Sequence, residues 1–209
     1  MDEVLTLSAR AQAARIAGGE LSAEALMRAT LERVREVNGA LNAIVSLRDE
    51  ADLLEEARRA DAEPARGALH GLPVAVKDLS NVAGLPTSKG SPALAGQIAA
   101  SDDLHVARMR AAGAIVIGKT NTPEFGLGSH TFNPVHGVTC NPYDKTRSCG
   151  GSSGGAAVAL AARMLSIADG SDMMGSLRNP AGWNNVYGMR PSWGLVPGEP
   201  VGDTFLHQL

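Results

Sequence analysis

The stretch that most constrains this chain runs from Gly150 to Pro180. It opens with Gly150-Gly151-Ser152-Ser153-Gly154-Gly155 and closes with Gly170-Ser171-Asp172-Met173-Met174-Gly175-Ser176-Leu177-Arg178-Asn179-Pro180. Between the two turns lies an alanine-dense apolar run, Ala156 to Ala168. Glycine lacks a Cβ, so backbone in such turns can approach a ligand closely and adopt φ > 0. The small side chains in between suit a tightly packed, buried segment. Two turns that each present a hydroxyl among glycines, joined by one compact segment, suggest a nucleophile and a helper. A flexible Gly/Ser linker would carry neither the apolar run nor the Asp and Arg at its edge.

A serine hydroxyl is a poor nucleophile until something takes its proton. The five histidines, His70, His105, His130, His136 and His207, sit in no recognisable catalytic motif. A lysine can replace histidine as the base if it is neutral, which requires its pKa to fall by roughly 3 units from about 10.4. Burial at the end of an apolar strand supplies that desolvation, and Lys77 follows Val74-Ala75-Val76. The residues alone leave a second reading open, a lysine snorkelling at a strand end and paired with Asp78.

The two glycine turns, with Asp172, Gly175-Ser176-Leu177-Arg178 and Pro180 at their spacing, resemble the signature of the amidase signature family of serine hydrolases. Pro73-Val74-Ala75-Val76-Lys77-Asp78 resembles that family's lysine segment. The resemblance implies that Ser176 is the nucleophile, Ser152 the bridging serine after a cis Gly151–Ser152 bond, and Lys77 the base. It also implies an oxyanion hole from the backbone N–H groups of Met173, Met174, Gly175 and Ser176. Water would then hydrolyse an acyl-serine, so a small carboxamide would yield a carboxylate and ammonia or an amine. Ser153 is expected to hydrogen-bond Lys77 or the backbone. Asp172 and Arg178 read as a structural ion pair fixing the turn, in preference to a substrate contact. Met174 stands where the family usually has Gly or Ala, which bears on the size of the acyl pocket. No metal and no cofactor are implied.

The family's fold is an α/β/α sandwich around a central mixed sheet, and its domain is much longer than this chain. Residues 1–209 therefore read as the first half of one amidase signature domain, incomplete at the C-terminus. Its helical region would cover about 1–65 and its catalytic core about 66–209. A half-sheet leaves an open strand edge, which invites self-association into a homo-oligomer. Two alternatives stay open, the amidase subunit of a tRNA-dependent amidotransferase and a catalytically silent module. The run Thr122 to His130 looks more like stand-alone amidases than like that subunit.

The bulk composition agrees with a globular protein: 44% hydrophobic and 20% charged residues in 209. A net charge of −3 and 3% aromatics give no case for nucleic acid or an anionic membrane surface. No apolar run approaches membrane-spanning length. Cys140 and Cys149 have no C-x-x-C spacing and read as cytosolic thiols in preference to a disulfide, and the start Met1-Asp2-Glu3-Val4 carries no secretory pattern, so the cytoplasm is the expected address.

Along the chain, 3–17 reads as an amphipathic helix closed by Gly18-Gly19. Ser22 caps a second helix, stapled by Leu21 and Leu26 and stopped at Asn38-Gly39. Leu41 to Leu47 reads as a strand and Asp49 to Ala62 as a helix with a charged outer face. Ser101-Asp102-Asp103 should cap a helix through Ala112, and Ala114 to Ile117 should form a buried strand. Gly113-Ala114-Ile115-Val116-Ile117-Gly118-Lys119-Thr120 matches the phosphate-loop pattern, but with the wrong surroundings. A helix precedes Gly113 and the middle residues are themselves the strand, so their N–H groups cannot cradle phosphate.

Overall fold

A computed structural model describes residues 2–197. A short 3-10 turn, Glu3–Thr6, precedes α1 (Ala9–Ala17) and α2 (Ala23–Leu41). The single helix expected over 3–17 is therefore broken, because the Ser8 side chain accepts from Ala11 N–H and starts α1 afresh. Ser22 caps α2 as expected, accepting from Ala25 N–H, and Leu21 and Leu26 lie in one apolar cluster. The helix does not stop at Asn38-Gly39. It runs on to Leu41 and closes at Asn42, whose φ of 52° is left-handed. Asn38 instead ties the chain beyond the helix, its Oδ1 accepting from Ala43 and Ile44 N–H.

Only Ile44–Val45 of the expected 41–47 strand pairs, as β1, and α3 (Glu50–Ala62) follows with Asp49 as its cap. The remaining sheet strands are β2 (Pro73–Lys77) and β3 (Ile115–Thr120), and α4 (Leu104–Ala111) lies between them in sequence. Asp103 is the N-cap residue of α4 but makes no side-chain cap bond. Its carboxylate, like that of Asp102, binds the turn at 81–83 instead, through the N–H groups of Asn81 and Ala83. A two-stranded ribbon of β4 (Phe132–Asn133) and β5 (Gly137–Val138), then α5 (Gly154–Ala161) and α6 (Arg178–Trp183), complete the described elements.

The sheet order is β1-β3-β2, with β2 and β3 parallel and β1 antiparallel to β3, so the sheet is mixed. Alternate residues of each strand point to opposite faces. Ala75, Ile115 and Ile117 pack with Met27, Leu31, Leu53 and Val158, so α2, α3 and α5 cover one face. Val74, Val76 and Val116 pack with Val106 of α4 on the other. Helices thus lie on both faces, as in an α/β/α sandwich. Fully buried side chains such as Met27 and Leu53 each contribute about 1.5–3 kcal/mol by leaving water.

One irregularity in the ladder bears directly on the site. Val74 pairs with Val116 but Ala75 pairs with Gly118, so β3 carries one extra residue opposite β2. Such a bulge resets the alternation downstream, and Lys119 comes into register with Val76. Gly118 is bare because the backbone of Ser46 and Leu47 passes within about 3 Å of where a Cβ would stand.

Candidate active site

Strand β2 ends in Lys77, which is buried, and its Nζ lies 2.8 Å from Ser152 Oγ and 2.9 Å from Ser171 Oγ. Its backbone N–H donates to Asp169 Oδ1 at 2.6 Å. Ser152 precedes α5 and follows a cis peptide bond with Gly151. The seat of this loop is tight because α5 lies directly on the sheet. A Cβ on Gly155 would meet the backbone N and O of Asn121 and the carbonyl of Ala43. The two glycine turns singled out in sequence therefore meet, with the strand-end lysine between them.

Burial moves the Lys77 amine from the usual lysine value of 10.5 to about 7, while the carboxylates of Asp169 and Asp172 pull the other way. The amine is therefore far easier to neutralise near pH 7 than an exposed lysine. The alternative pairing with Asp78 does not form. Asp78 faces Lys119, whose Nζ lies 3.2 Å from Asp78 Oδ1 and also donates to the Ser80 carbonyl and Thr87 Oγ1. Ser88 Oγ donates to Asp78 Oδ2 at 2.5 Å, with His136 alongside. Burial raises the Asp78 pKa, but His136, Ser88 and Lys119 outweigh it and hold it below the ordinary range. The lysine of the phosphate-loop pattern is thus a buried partner of Asp78 inside β3.

The second turn is built around Asp172. Its carboxylate accepts from the N–H groups of Gly175 (2.6 Å), Leu177 (3.1 Å) and Arg178 (3.3 Å), and takes the Arg178 guanidinium bidentately at 2.9 and 3.0 Å. Arg190 Nε donates to the Asp172 carbonyl. Burial alone would raise the Asp172 pKa, yet Arg178 and the three N–H groups hold it far below the carboxylate range. Asp172 and Arg178 thus pair within this turn.

Ser176 is half-buried at the end of this turn, and its carbonyl accepts the Ser153 N–H at 3.0 Å. Among the described residues its Oγ has no hydrogen-bond partner, so the chain from Lys77 through Ser152 stops short of it. Of the four backbone donors expected for an oxyanion, Gly175 N–H is engaged by Asp172. Those of Met173, Met174 and Ser176 meet no acceptor among the described residues. Gly175 takes φ 110°, a conformation that glycine reaches without strain. Met174 is 86% exposed beside it.

Ser153 settles on backbone, not on Lys77. Its Oγ donates to the Ser171 carbonyl and accepts the Ser171 N–H, at 3.2 and 3.3 Å. Sequence reasoning missed Ser171 and Asp169, the two groups that hold Lys77 besides Ser152. The available signal was a hydroxyl directly beside Asp172 in a glycine turn. The remaining side chain here is His105, whose Nε2 lies 3.4 Å from Asp169 Oδ2, a contact that raises its pKa. Among the described residues no cluster of three His, Cys, Asp or Glu side chains is arranged to hold a metal ion, and no helix is long and apolar enough to cross a membrane. Cys140 and Cys149 are free thiols, the latter pushed up to about 11 by burial.

The family model described as Amidase matches residues 25–208. Indoleacetamide hydrolase of Bradyrhizobium diazoefficiens is 46% identical over 190 residues, which is 88% of this chain and 36% of the relative. A glutamyl-tRNA(Gln) amidotransferase subunit of Renibacterium salmoninarum is 41% identical, covering 94% of this chain and 38% of its own length. The solved structure of peptide amidase from Stenotrophomonas maltophilia superposes with a TM-score of 0.84 at 38% identity, over 91% of this chain and 41% of that one. The chain belongs to the amidase signature family. It spans about two fifths of the length of the relatives it matches.

Proposed function

We propose that this chain carries the catalytic centre of an amidase that hydrolyses a small carboxamide through an acyl-serine. The observation that carries the reading is the buried Lys77 amine 2.8 Å from Ser152 Oγ, between the two glycine turns. Neutral Lys77 takes the Ser152 proton as Ser152 takes that of Ser176, and Ser176 Oγ forms the bond to the carbonyl carbon. The N–H groups of Met173, Met174 and Ser176, which meet no acceptor among the described residues, receive the oxyanion, each worth about 10²–10³ in rate. Ser152 then passes its proton to the departing nitrogen and recovers one from Lys77, so the C–N bond breaks with ammonia or amine as product and the base is neutral again. Water repeats the sequence on the acyl-serine to give the carboxylate. The half-exposed Ser176 must turn toward Ser152 for the first step, which fits a hydroxyl without a partner among the described residues. No group in this sequence of steps calls for a cofactor. A division near residue 65, a cytoplasmic address and a homo-oligomeric assembly belong to the same proposal.

The 41% identity to an amidotransferase subunit supports a second reading, in which the same chemistry supplies ammonia to a partner enzyme. Ammonia release by the isolated chain distinguishes it from the first. The primary test is labelling of the 209-residue chain with a serine-directed fluorophosphonate, located by peptide mapping. A single adduct on Ser176, lost in Lys77→Ala and Ser176→Ala, is expected. A folded chain that takes no label would refute an active centre in this polypeptide and favour a silent module.

A further inference from the structure

We propose that Ser171 is a positioning residue that aims the Lys77 lone pair at Ser152. The inference rests on the amidase reading above, with Lys77 as base. A neutral amine has two N–H groups and one lone pair, and two hydroxyls lie within reach of Nζ, Ser152 at 2.8 Å and Ser171 at 2.9 Å. With an N–H donated to Ser171 Oγ, the directions left to the amine are its second N–H and its lone pair, and the lone pair directed at Ser152 is the arrangement that accepts a proton. Without that donor contact the amine rotates freely about its last bond and the lone pair points at Ser152 only part of the time.

Ser171 is itself held on both sides of its peptide unit. Ser153 Oγ accepts the Ser171 N–H and donates to the Ser171 carbonyl. The Ser153 N–H in turn binds the carbonyl of Ser176. One residue therefore fixes the backbone of the nucleophile's turn and of the hydroxyl that orients the base. This gives Ser153 a use that its place beside Ser152 does not suggest.

The charged groups that face the amine are Asp169 and Asp172. The first is in contact with His105, and the second is held by Arg178 and approached by Arg190. None of them is altered by removing the Ser171 hydroxyl. An oxygen acceptor favours the protonated amine, so its loss also moves the Lys77 titration below its wild-type midpoint near 7. A merely structural role for Ser171 would not predict that shift.

The test measures fluorophosphonate labelling of Ser176 against pH, together with a Lys77 titration followed by 13Cε NMR, for wild type and for Ser171→Ala, Ser171→Thr and Ser171→Val. The expected result for Ala and Val is a plateau rate lower by about three- to tenfold and a lower midpoint, with Thr restoring both. Thr and Val have nearly the same shape, so their comparison stands even if Ala folds poorly. Equal rates and midpoints for Thr and Val, with Lys77→Ala inactive, would overturn the proposal and leave the amidase reading intact. Absence of labelling in the wild type, with Lys77 titrating at its ordinary value, would overturn both.

Discussion

Replacing Lys77 by Met should stabilise the protein in a manner that depends on pH. In the unfolded chain this lysine titrates near 10.5, and in the fold near 7. Folding at neutral pH must therefore expel a proton or bury a charge. A displacement of that size corresponds to about 4–5 kcal/mol, all of it opposing folding below pH 7. Between 7 and 10.5 the unfolded state binds more protons than the folded one, so wild-type stability rises with pH and the penalty fades. From pH 7 to 9.5 this contribution shrinks by about 3 kcal/mol. Methionine fills the same slot with no titrating group but leaves Ser152 and Ser171 without the amine, a loss of about 1–3 kcal/mol that does not vary with pH. Urea unfolding of wild type and Lys77→Met at both pH values isolates the effect. The stability gap between them should move by about 3 kcal/mol in favour of the wild type on going to pH 9.5. A gap that stays constant would mean that Lys77 is not depressed in the fold, and the base assignment would fall with it.

Three further outcomes are expected. Asp172→Asn should cost about 2–3 kcal/mol in urea unfolding at pH 7, because three N–H groups lose a charged acceptor at a buried position. Since the folded Asp172 pKa is depressed, its contribution is present above the usual Asp range. The difference between wild type and variant should therefore close only as the pH falls well below about 4. Gly155→Ala should destabilise by about 3 kcal/mol or more, since its Cβ meets backbone that cannot give way, whereas Gly182→Ala has open space and should be neutral or slightly stabilising on the same assay. Asp169→Asn keeps an acceptor for the Lys77 N–H but removes a charge that holds the amine protonated. The labelling midpoint should shift below that of the wild type, and an upward shift would contradict the electrostatics described.

The site is legible in sequence where it is local. Glycine turns, a hydroxyl within each and a lysine closing an apolar strand all declare themselves within a few residues. What is not legible depends on orientation. Which hydroxyl of the second turn faces Nζ is set by how α5 lies on the sheet, and spacing does not encode it. Asp78 offers itself as a partner for Lys77 because the two adjoin in the chain, yet strand neighbours point to opposite faces. The alternation rule itself argues against the pair. Asn38-Gly39 carries a stop signal that the helix overruns. The Asn38 side chain finds acceptors and donors beyond the helix end, and burial of Leu41 sustains one more turn. The unequal fate of Ser101-Asp102-Asp103 has a similar origin, since carboxylates that could cap α4 have nearer N–H groups across the loop.

The extra residue in β3 is a charge-sorting device. Were the ladder regular, Lys119 would project to the same side of the sheet as Lys77, and two ammonium groups would compete for one dry space. Asp78 would meanwhile sit on the far side with no cation from the sheet. By advancing β3 one residue, the fold sends Lys119 through to Asp78 and leaves each face with its own arrangement. On one face the Lys119 amine meets a carboxylate, and on the other the Lys77 amine meets two serine hydroxyls. Two lysines that look equivalent by burial are thereby given different partners by a single step in register.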